Sequence, residues 1–445
     1  MFSYKAAALL LIGFALLLPG RALSQEQLSL EQAIRIGLQN NYDIRIASRQ
    51  EAISENNVTL GNAGFLPDVS GRASRNFSEN NSRQEFTTGP DRVRSGASSN
   101  NLSYGVNLNW VVFDGLGMFI NLERLKALEK SGELFTKQTV ENTLADITAS
   151  YFEVARQSFK MQAIQDAIAI SEARVEIAQA QYEVGVSAKV EILRAQVDYN
   201  TDRSELLLQQ EVLQNAKINL NQLLGRDPDI DFVVTDSILV DSSLNYSIAT
   251  NNLQAANPLL QRLQLERQLA TLDIRSVRAS RFPTVSVLSA YNFSRSEAEP
   301  LNEFQARFNQ NKGYNYGLSV NVPIFNGFNI NRQAQNARIS LETANLELQR
   351  EENRLQADLA RAYSQYANRL QLLELEESNV KLAQENAQIA LERYKLGILT
   401  AIELREAQRN ELVASNRLID IQYQAKTAEI ELKRLTSTLV QDSQL

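Results

Sequence analysis

The chain contains no cysteine and no histidine. Without cysteine there are no disulfides, no thiol catalysis and no lipid-modified amino-terminal cysteine. With both absent, Ser-His-Asp and Cys-His arrangements are impossible, and the usual zinc and copper ligand sets are missing. No phosphate-cradling Gly-Lys motif is present, and no carboxylate pair stands out from the many surface acids as a hydrolase would require. The sequence therefore reads as a non-enzyme without cofactor or metal. After the amino-terminal region no segment approaches 18 consecutive apolar residues, so a membrane-inserted form has to be a closed β-barrel.

What is present begins with a secretory signature over residues 1–24: Lys5, the apolar run Ala6 to Leu18, and the small residues Ala22-Leu23-Ser24 before Gln25. About a dozen apolar residues is short against the roughly 20 of a spanning helix, so a cleaved signal and a life outside the cytoplasm are expected. The 45 basic and 52 acidic residues become 43 and 52 without Lys5 and Arg21, a net charge of −9, which disfavours nucleic acid as a partner. Charged residues make up 22% and aromatics 7%, a balance that favours long helices over a thick-cored globule.

The chain repeats once. Tyr182-Glu-Val-Gly-Val-Ser-Ala-Lys-Val-Glu-Ile-Leu-Arg-Ala-Gln196 returns as Tyr394-Lys-Leu-Gly-Ile-Leu-Thr-Ala-Ile-Glu-Leu-Arg-Glu-Ala-Gln408. Tyr104-Gly105 answers to Tyr316-Gly317, Val112-Phe-Asp-Gly115 to Ile324-Phe-Asn-Gly327, and Asn41 and Pro67 to Asn257 and Pro283. The first repeat covers 25–228, with a helix, strands at 68–77 and 102–113, and helices at 117–184 and 187–224. The second covers 229–445, with helix 249–281, strands 284–294 and 314–325, and helices 329–396 and 399–438. Residues 229–246 bridge the two.

Leu102, Tyr104, Val106, Leu108, Trp110 and Val112 alternate with Ser103, Gly105, Asn107 and Asn109; Tyr314, Tyr316, Leu318, Val320, Val322 and Ile324 alternate likewise. This is an apolar-out, polar-in barrel pattern, and Phe77, Tyr104, Tyr291, Phe293, Tyr314 and Tyr316 suit interfacial girdles. Soluble hairpins with one buried face share the pattern. Membrane barrels begin at about eight strands, so four strands per chain require two, three or four chains. The polar stretches Ser78–Asn101 and Arg295–Gly313 read as outer loops.

Residues 117–184 hold no proline, and their only glycines are Gly117 and Gly132; as a helix they would extend roughly 100 Å. Val140, Leu144, Ile147, Tyr151, Val154, Met161, Ile164, Ile168, Val175, Ala178 and Tyr182 follow mostly alternating steps of three and four, a coiled-coil spacing. Leu355, Leu359, Tyr366, Leu373, Val380, Ala387, Ala390 and Tyr394 repeat the design. A soluble periplasmic coiled-coil scaffold or adaptor would explain these helices but not the strands.

Two repeats, each with a strand pair, a helix of this length and a Tyr-x-x-Gly turn leading to a Glu, resemble the TolC-like outer-membrane efflux proteins over essentially the whole mature chain. The resemblance implies an α+β membrane protein: a homotrimer with a shared 12-stranded outer-membrane barrel and a periplasmic α-barrel of long coiled-coil helices. It implies a passive exit duct for efflux or type I secretion, whose partners are outer-membrane lipid, a periplasmic adaptor (membrane fusion protein) and, through it, an inner-membrane pump. The resemblance assigns Gly185, Val186, Ser187, Gly397, Ile398, Leu399 and Thr400 to adaptor-docking tips, although both glycines also read as simple helix terminators. It assigns Tyr394 and Glu191 to the periplasmic gate, with Leu399 where the family's archetype has arginine, so that one charged link is missing. Glu403 and Glu406 map to an acidic constriction that would favour cations, against the ordinary reading of a solvated helical face. Three methionines without His or Cys argue against copper or silver as the cargo.

Overall fold

The computed structural model describes residues 26–298 and 306–439; the expected signal segment lies outside them, as does part of the expected 295–313 loop. In chain order the elements are β1 (Glu26–Leu28), α1 (Leu30–Asn40), α2 (Tyr42–Asn56), α3 (Leu60–Ala63), β2 (Asp68–Gln84), β3 (Arg92–Phe113), α4 (Gly117–Glu183), α5 (Lys189–Leu224) and β4 (Phe232–Val234). They continue with α6 (Tyr246–Ala256), α7 (Pro258–Ala279), β5 (Thr284–Ala298), β6 (Phe308–Asn321), α8 (Asn329–Lys395) and α9 (Ala401–Leu435). No helix among the described residues is long and apolar enough to cross a membrane.

The described residues form two compact units that cut across the sequence halves. One takes the residues up to Arg45, Thr139–Asn257 and those from Leu355 onward; the other takes Ile46–Gln138 and Pro258–Arg354.

In the first unit the three-and-four spacing puts Leu144, Ile147, Tyr151, Val154, Ile164 and Ala178 of α4 inside, with Leu355, Leu359, Tyr366, Val380, Ala387 and Ala390 of α8. A core of α4 and α5 side chains, including Ile147, Val154, Leu213 and Leu220, also packs Leu28 of β1 and Phe232 of β4. These two short strands run parallel, and Tyr151 fixes their surroundings, its hydroxyl 2.9 Å from the Leu28 carbonyl. Asn41 and Asn257 do the same job in the two halves. Each sits at a helix junction, and its side-chain amide donates to a main-chain carbonyl, Leu223 at 2.8 Å and Leu435 at 3.1 Å.

The segment expected as one helix over 249–281 is two, α6 and α7, because Pro258 has no N–H to continue α6 and drives Asn257 out of helical geometry, with ψ at 119°.

The second unit carries a four-stranded antiparallel sheet in the order β2-β3-β5-β6. The strands are longer than the alternation alone suggested. The polar stretch expected as the first outer loop is largely ladder, since Ser78 pairs with Ser99 and Gln84 with Arg92. Serine hydroxyls bridge that pairing, Ser74 to Ser103 at 2.8 Å and Ser78 to Ser99 at 2.7 Å. The fourth strand begins at Phe308 rather than 314 and stops at Asn321 rather than 325, because Pro323 cannot donate to a ladder. Register puts Val69, Leu108, Val106, Tyr104, Tyr291, Phe293, Tyr314 and Leu318 on one face. Tyr104 and Phe293 stack there with ring centroids 4.5 Å apart.

Candidate functional site

The two turns that join the long helices of the first unit are built alike. Gly185 and Gly397 take left-handed φ of 82° and 72°. Each glycine N–H donates to the carbonyl three residues back, Tyr182 or Tyr394, at 2.9 Å, and the next N–H, of Val186 or Ile398, reaches five residues back at 3.0 Å. This Schellman closure satisfies the last carbonyls of a helix and turns the chain within two residues. It leaves Val186 and Ile398 75% and 64% exposed, with Val184 and Leu396 exposed beside them. Each turn thus presents apolar side chains that nothing among the described residues covers.

Beyond the turns the two sides differ. Thr400 caps α9 in a full capping box, accepting from the Glu403 N–H at 3.3 Å while Glu403 accepts from the Thr400 N–H at 2.9 Å and its hydroxyl at 2.7 Å. These bonds hold the Glu403 carboxyl below its ordinary value. Ala188 caps α5 with no side-chain bond at all. The tyrosines differ too. Tyr394 is 5% exposed and packs with Ala390, Leu404, Ala407 and Leu399, whereas Tyr182 is 44% exposed.

Leu399 packs into this apolar cluster, at the position where the resemblance left one charged link missing. Tyr394 and Glu191 do come within electrostatic range: burial raises the Tyr394 hydroxyl pKa, the Arg174 charge opposes that, and the Glu191 charge adds to it. Glu191 itself accepts a 2.8 Å bond from Arg194 on its own helix. Glu406 lies 3.8 Å from Arg409, and Glu403 and Glu406 face a groove of about 270 Å³ shared with Arg393, Leu399 and Asn410.

The sequence reading missed a group of buried charged contacts beside the turns. Arg174 of α4 is fully buried and bonds Asp198 of α5. Arg405 of α9 forks onto Asp202 of α5 with bonds of 2.9 and 2.8 Å and lies 4.0 Å from Asp198. Two arginines and two aspartates thus lock three helices beside the turns. Asp198 and Asp202 stand four residues apart, one turn on one helix face, which was the available signal; their partners lie about two hundred residues away for Arg405 and could not be read from spacing.

The family model described as Outer membrane efflux protein matches residues 33–226 and 249–438. The chain belongs to the outer membrane efflux protein family. That membership places it in the outer membrane. It is similar to the cation efflux system protein CusC of Escherichia coli (strain K12), 23% identical over 415 residues that cover 89% of this chain and 83% of CusC. It also resembles outer membrane efflux protein BepC of Brucella suis biovar 1, 20% identical over 98% of this chain and 90% of BepC. Among solved structures, the Campylobacter jejuni CmeC outer membrane channel aligns with a TM-score of 0.73 at 15% identity, covering 93% of this chain and 89% of CmeC. An outer membrane efflux protein with this fold thus carries its charged lock at Arg405 and Asp202.

Proposed function

We propose that the chain is one protomer of a homotrimeric exit duct, conducting substrates passively across the outer membrane for an inner-membrane pump that supplies the energy. The carrying observation is the four-stranded sheet, apolar on one face, with β2 and β6 as edges that pair with nothing else among the described residues. Four strands cannot close, and an exposed edge is a template for another chain. The strands alternate in direction across the sheet, so β6 of one copy meets β2 of the next antiparallel, and three copies give twelve strands. The two matched segments are read as tandem repeats, each supplying one hairpin and two long helices to a shared barrel and a periplasmic helical tube.

Outward apolar stripes support the same assembly. Leu375, Leu382 and Ile389 of α8, and Leu396 in the turn just past its end, are exposed at seven-residue spacing, as are Val190, Leu193 and Val197 of α5 at steps of three and four. These are coiled-coil seams, and a neighbouring copy is the partner that matches them. The turns at Gly185–Ser187 and Gly397–Thr400 are the docking points for a periplasmic adaptor. Tyr394, with Glu191 and the arginine–aspartate lock, sits where the tube narrows, and Glu403 and Glu406 form the acidic constriction. No reaction is catalysed. The stated cargo of CusC, a cation, is not extended to this chain, which has no His or Cys and only three Met.

Single-channel conductance of the purified oligomer in planar bilayers tests this reading, wild type against Glu403→Gln/Glu406→Gln. Glutamine preserves the capping box, so the variant removes charge without unwinding the turn. Small cation-selective openings that grow or lose selectivity in the variant are expected. Unchanged channels would remove the constriction and keep the duct; a folded protein that gives no channels would overturn the duct and favour a soluble scaffold.

A further inference from the structure

Further along α9 from the turns, a cavity of about 80 Å³ opens between α4, α8 and α9. Asp166 of α4, Gln384 of α8, and Gln408, Glu411 and Ser415 of α9 line it. Several sheltered carboxylates elsewhere in the unit are matched by cations: Asp202 by Arg405, Asp198 by Arg174, Glu429 by Lys426 and Lys433, Glu376 by Arg417. Asp166, exposed at the mouth of the cavity, and Glu411, half-buried, form no ion pair among the described residues; Asp166 accepts a 2.9 Å bond from Gln162. The charge that acts on Glu411 is that of Asp166, and together with burial it raises the Glu411 carboxyl pKa.

Gln408 supplies the independent observation. It is 7% exposed, and its amide oxygen and nitrogen are both buried with no hydrogen-bond partner. A buried amide with neither end satisfied is rare in a native fold, and it marks a place where something else completes the set. A proton shared by the carboxylates would satisfy one acceptor and leave most of the amide unmet. A cation accepts oxygen from the amide and both carboxylates, and a water on that cation, or a carboxylate, receives the amide N–H.

We propose that this cavity is a divalent-cation site, with Asp166, Glu411 and the Gln408 amide oxygen as ligands, tying α4 to α9. All the donors are hard oxygens, including the Ser415 hydroxyl, which suits Mg²⁺, Mn²⁺ or Ca²⁺ rather than a soft metal. With only two carboxylates the ion keeps part of its hydration. The volume has room for that, since a water takes about 30 Å³ in the liquid. The site is separate from Glu403 and Glu406, which face a different groove.

The test uses the full folded protein, chelator-stripped, in the Glu403→Gln/Glu406→Gln background so that those two carboxylates contribute no binding. Mn²⁺ is titrated and free ion is followed by electron paramagnetic resonance, with thermal melting alongside. The expected result is one saturable site per chain and a melting temperature that rises with Mn²⁺. Glu411→Gln, Asp166→Asn and Gln408→Met each weaken that site about tenfold or more, the scale on which metal sites respond to lost support. Without metal, Glu411→Gln melts no lower than its parent, because it removes a half-buried charge with no cation beside it; a purely structural Glu411 would instead lower melting with or without Mn²⁺. Absence of a saturable site, or a site unaltered by Glu411→Gln, would overturn the proposal.

Discussion

Arg405 of α9 and Asp202 of α5 face each other in a two-bond fork, with Nη1 to Oδ2 at 2.9 Å and Nη2 to Oδ1 at 2.8 Å. The carboxylate is almost wholly buried and the guanidinium is about one-third exposed, so Asp202 has no bulk water to fall back on. Arg405→Ala should lower stability by about 2–3 kcal/mol, because removing one member of a buried pair strands the other charge. Asp202→Leu/Arg405→Met should recover most of that loss, since an apolar pair of similar volume strands nothing. Chemical denaturation followed by far-UV circular dichroism compares the three. If the pair also holds the duct narrow, Arg405→Ala will open larger conductances as well.

The capping box makes a pH prediction whose sign follows from its bonds. Glu403 accepts from the Thr400 hydroxyl and N–H, and its folded-state pKa lies below the ordinary 4.5. A depressed carboxylate contributes stability that is fully present above the unfolded value and is lost as pH falls through the folded one. The stability difference between wild type and Glu403→Gln should therefore be constant above about pH 5 and shrink steadily below 4.5. Thr400→Ala should cost about 1 kcal/mol at neutral pH by removing the cap, whereas Ser187→Ala should cost less, because Ala188, not Ser187, is the cap of α5 and makes no side-chain bond. Thermal melts of the four proteins from pH 3.5 to 7 decide the matter.

How much of this was legible in the sequence depended on whether the signal was local. The long helices announced themselves through absent proline and a three-and-four apolar rhythm, and Leu144, Ile147, Tyr151 and Val154 are indeed interior. The Tyr-x-x-Gly repeat located both turns, because a glycine with left-handed φ is a local requirement. Strand ends were misjudged where polarity was taken for a loop: Ser78–Gln84 is polar yet pairs, since a ladder is made by main-chain groups and polar side chains do not forbid it. The break at Pro258 is a local signal, since proline cannot donate to the preceding turn and restricts Asn257 before it. Of the lock, the spacing of Asp198 and Asp202 on one helix face was legible, but not their partners. Arg405 meets Asp202 only because α9 folds back on α5, and nothing within reach of either residue in sequence reports that.

Glycines separate the conformational requirement from the steric one. At Gly185 and Gly397 an added Cβ would meet nothing within 4 Å, so the positive φ is the whole obstacle. Gly225 has φ 66° as well, but a Cβ there would lie 2.6 Å from the Asn40 carbonyl oxygen. Gly397→Ala and Gly185→Ala should each cost about 1 kcal/mol, the penalty for placing an L-residue in the left-handed region. Gly225→Ala should cost clearly more, because main chain must move as well. Equal losses at all three positions would show that the Gly225 contact relaxes freely.

Trp110 is the only tryptophan, so its fluorescence reports one place in the sheet. Register sets it opposite Val287 and on the face that carries Leu108, Val106 and Tyr104, and its indole N–H donates to the Phe65 carbonyl at 2.9 Å. The ring is half-exposed in a single chain. An amphipathic ring with its N–H anchored and its body outward suits the boundary between lipid and water. Reconstitution into vesicles whose acyl chains carry bromine should quench the Trp110 emission strongly, and aqueous iodide should quench it weakly. Trp110→Phe should leave the oligomer intact at a cost of about 1 kcal/mol for the lost hydrogen bond. Strong iodide quenching without bromine quenching would mean that the apolar face does not meet lipid, and the strands would then have to be soluble hairpins.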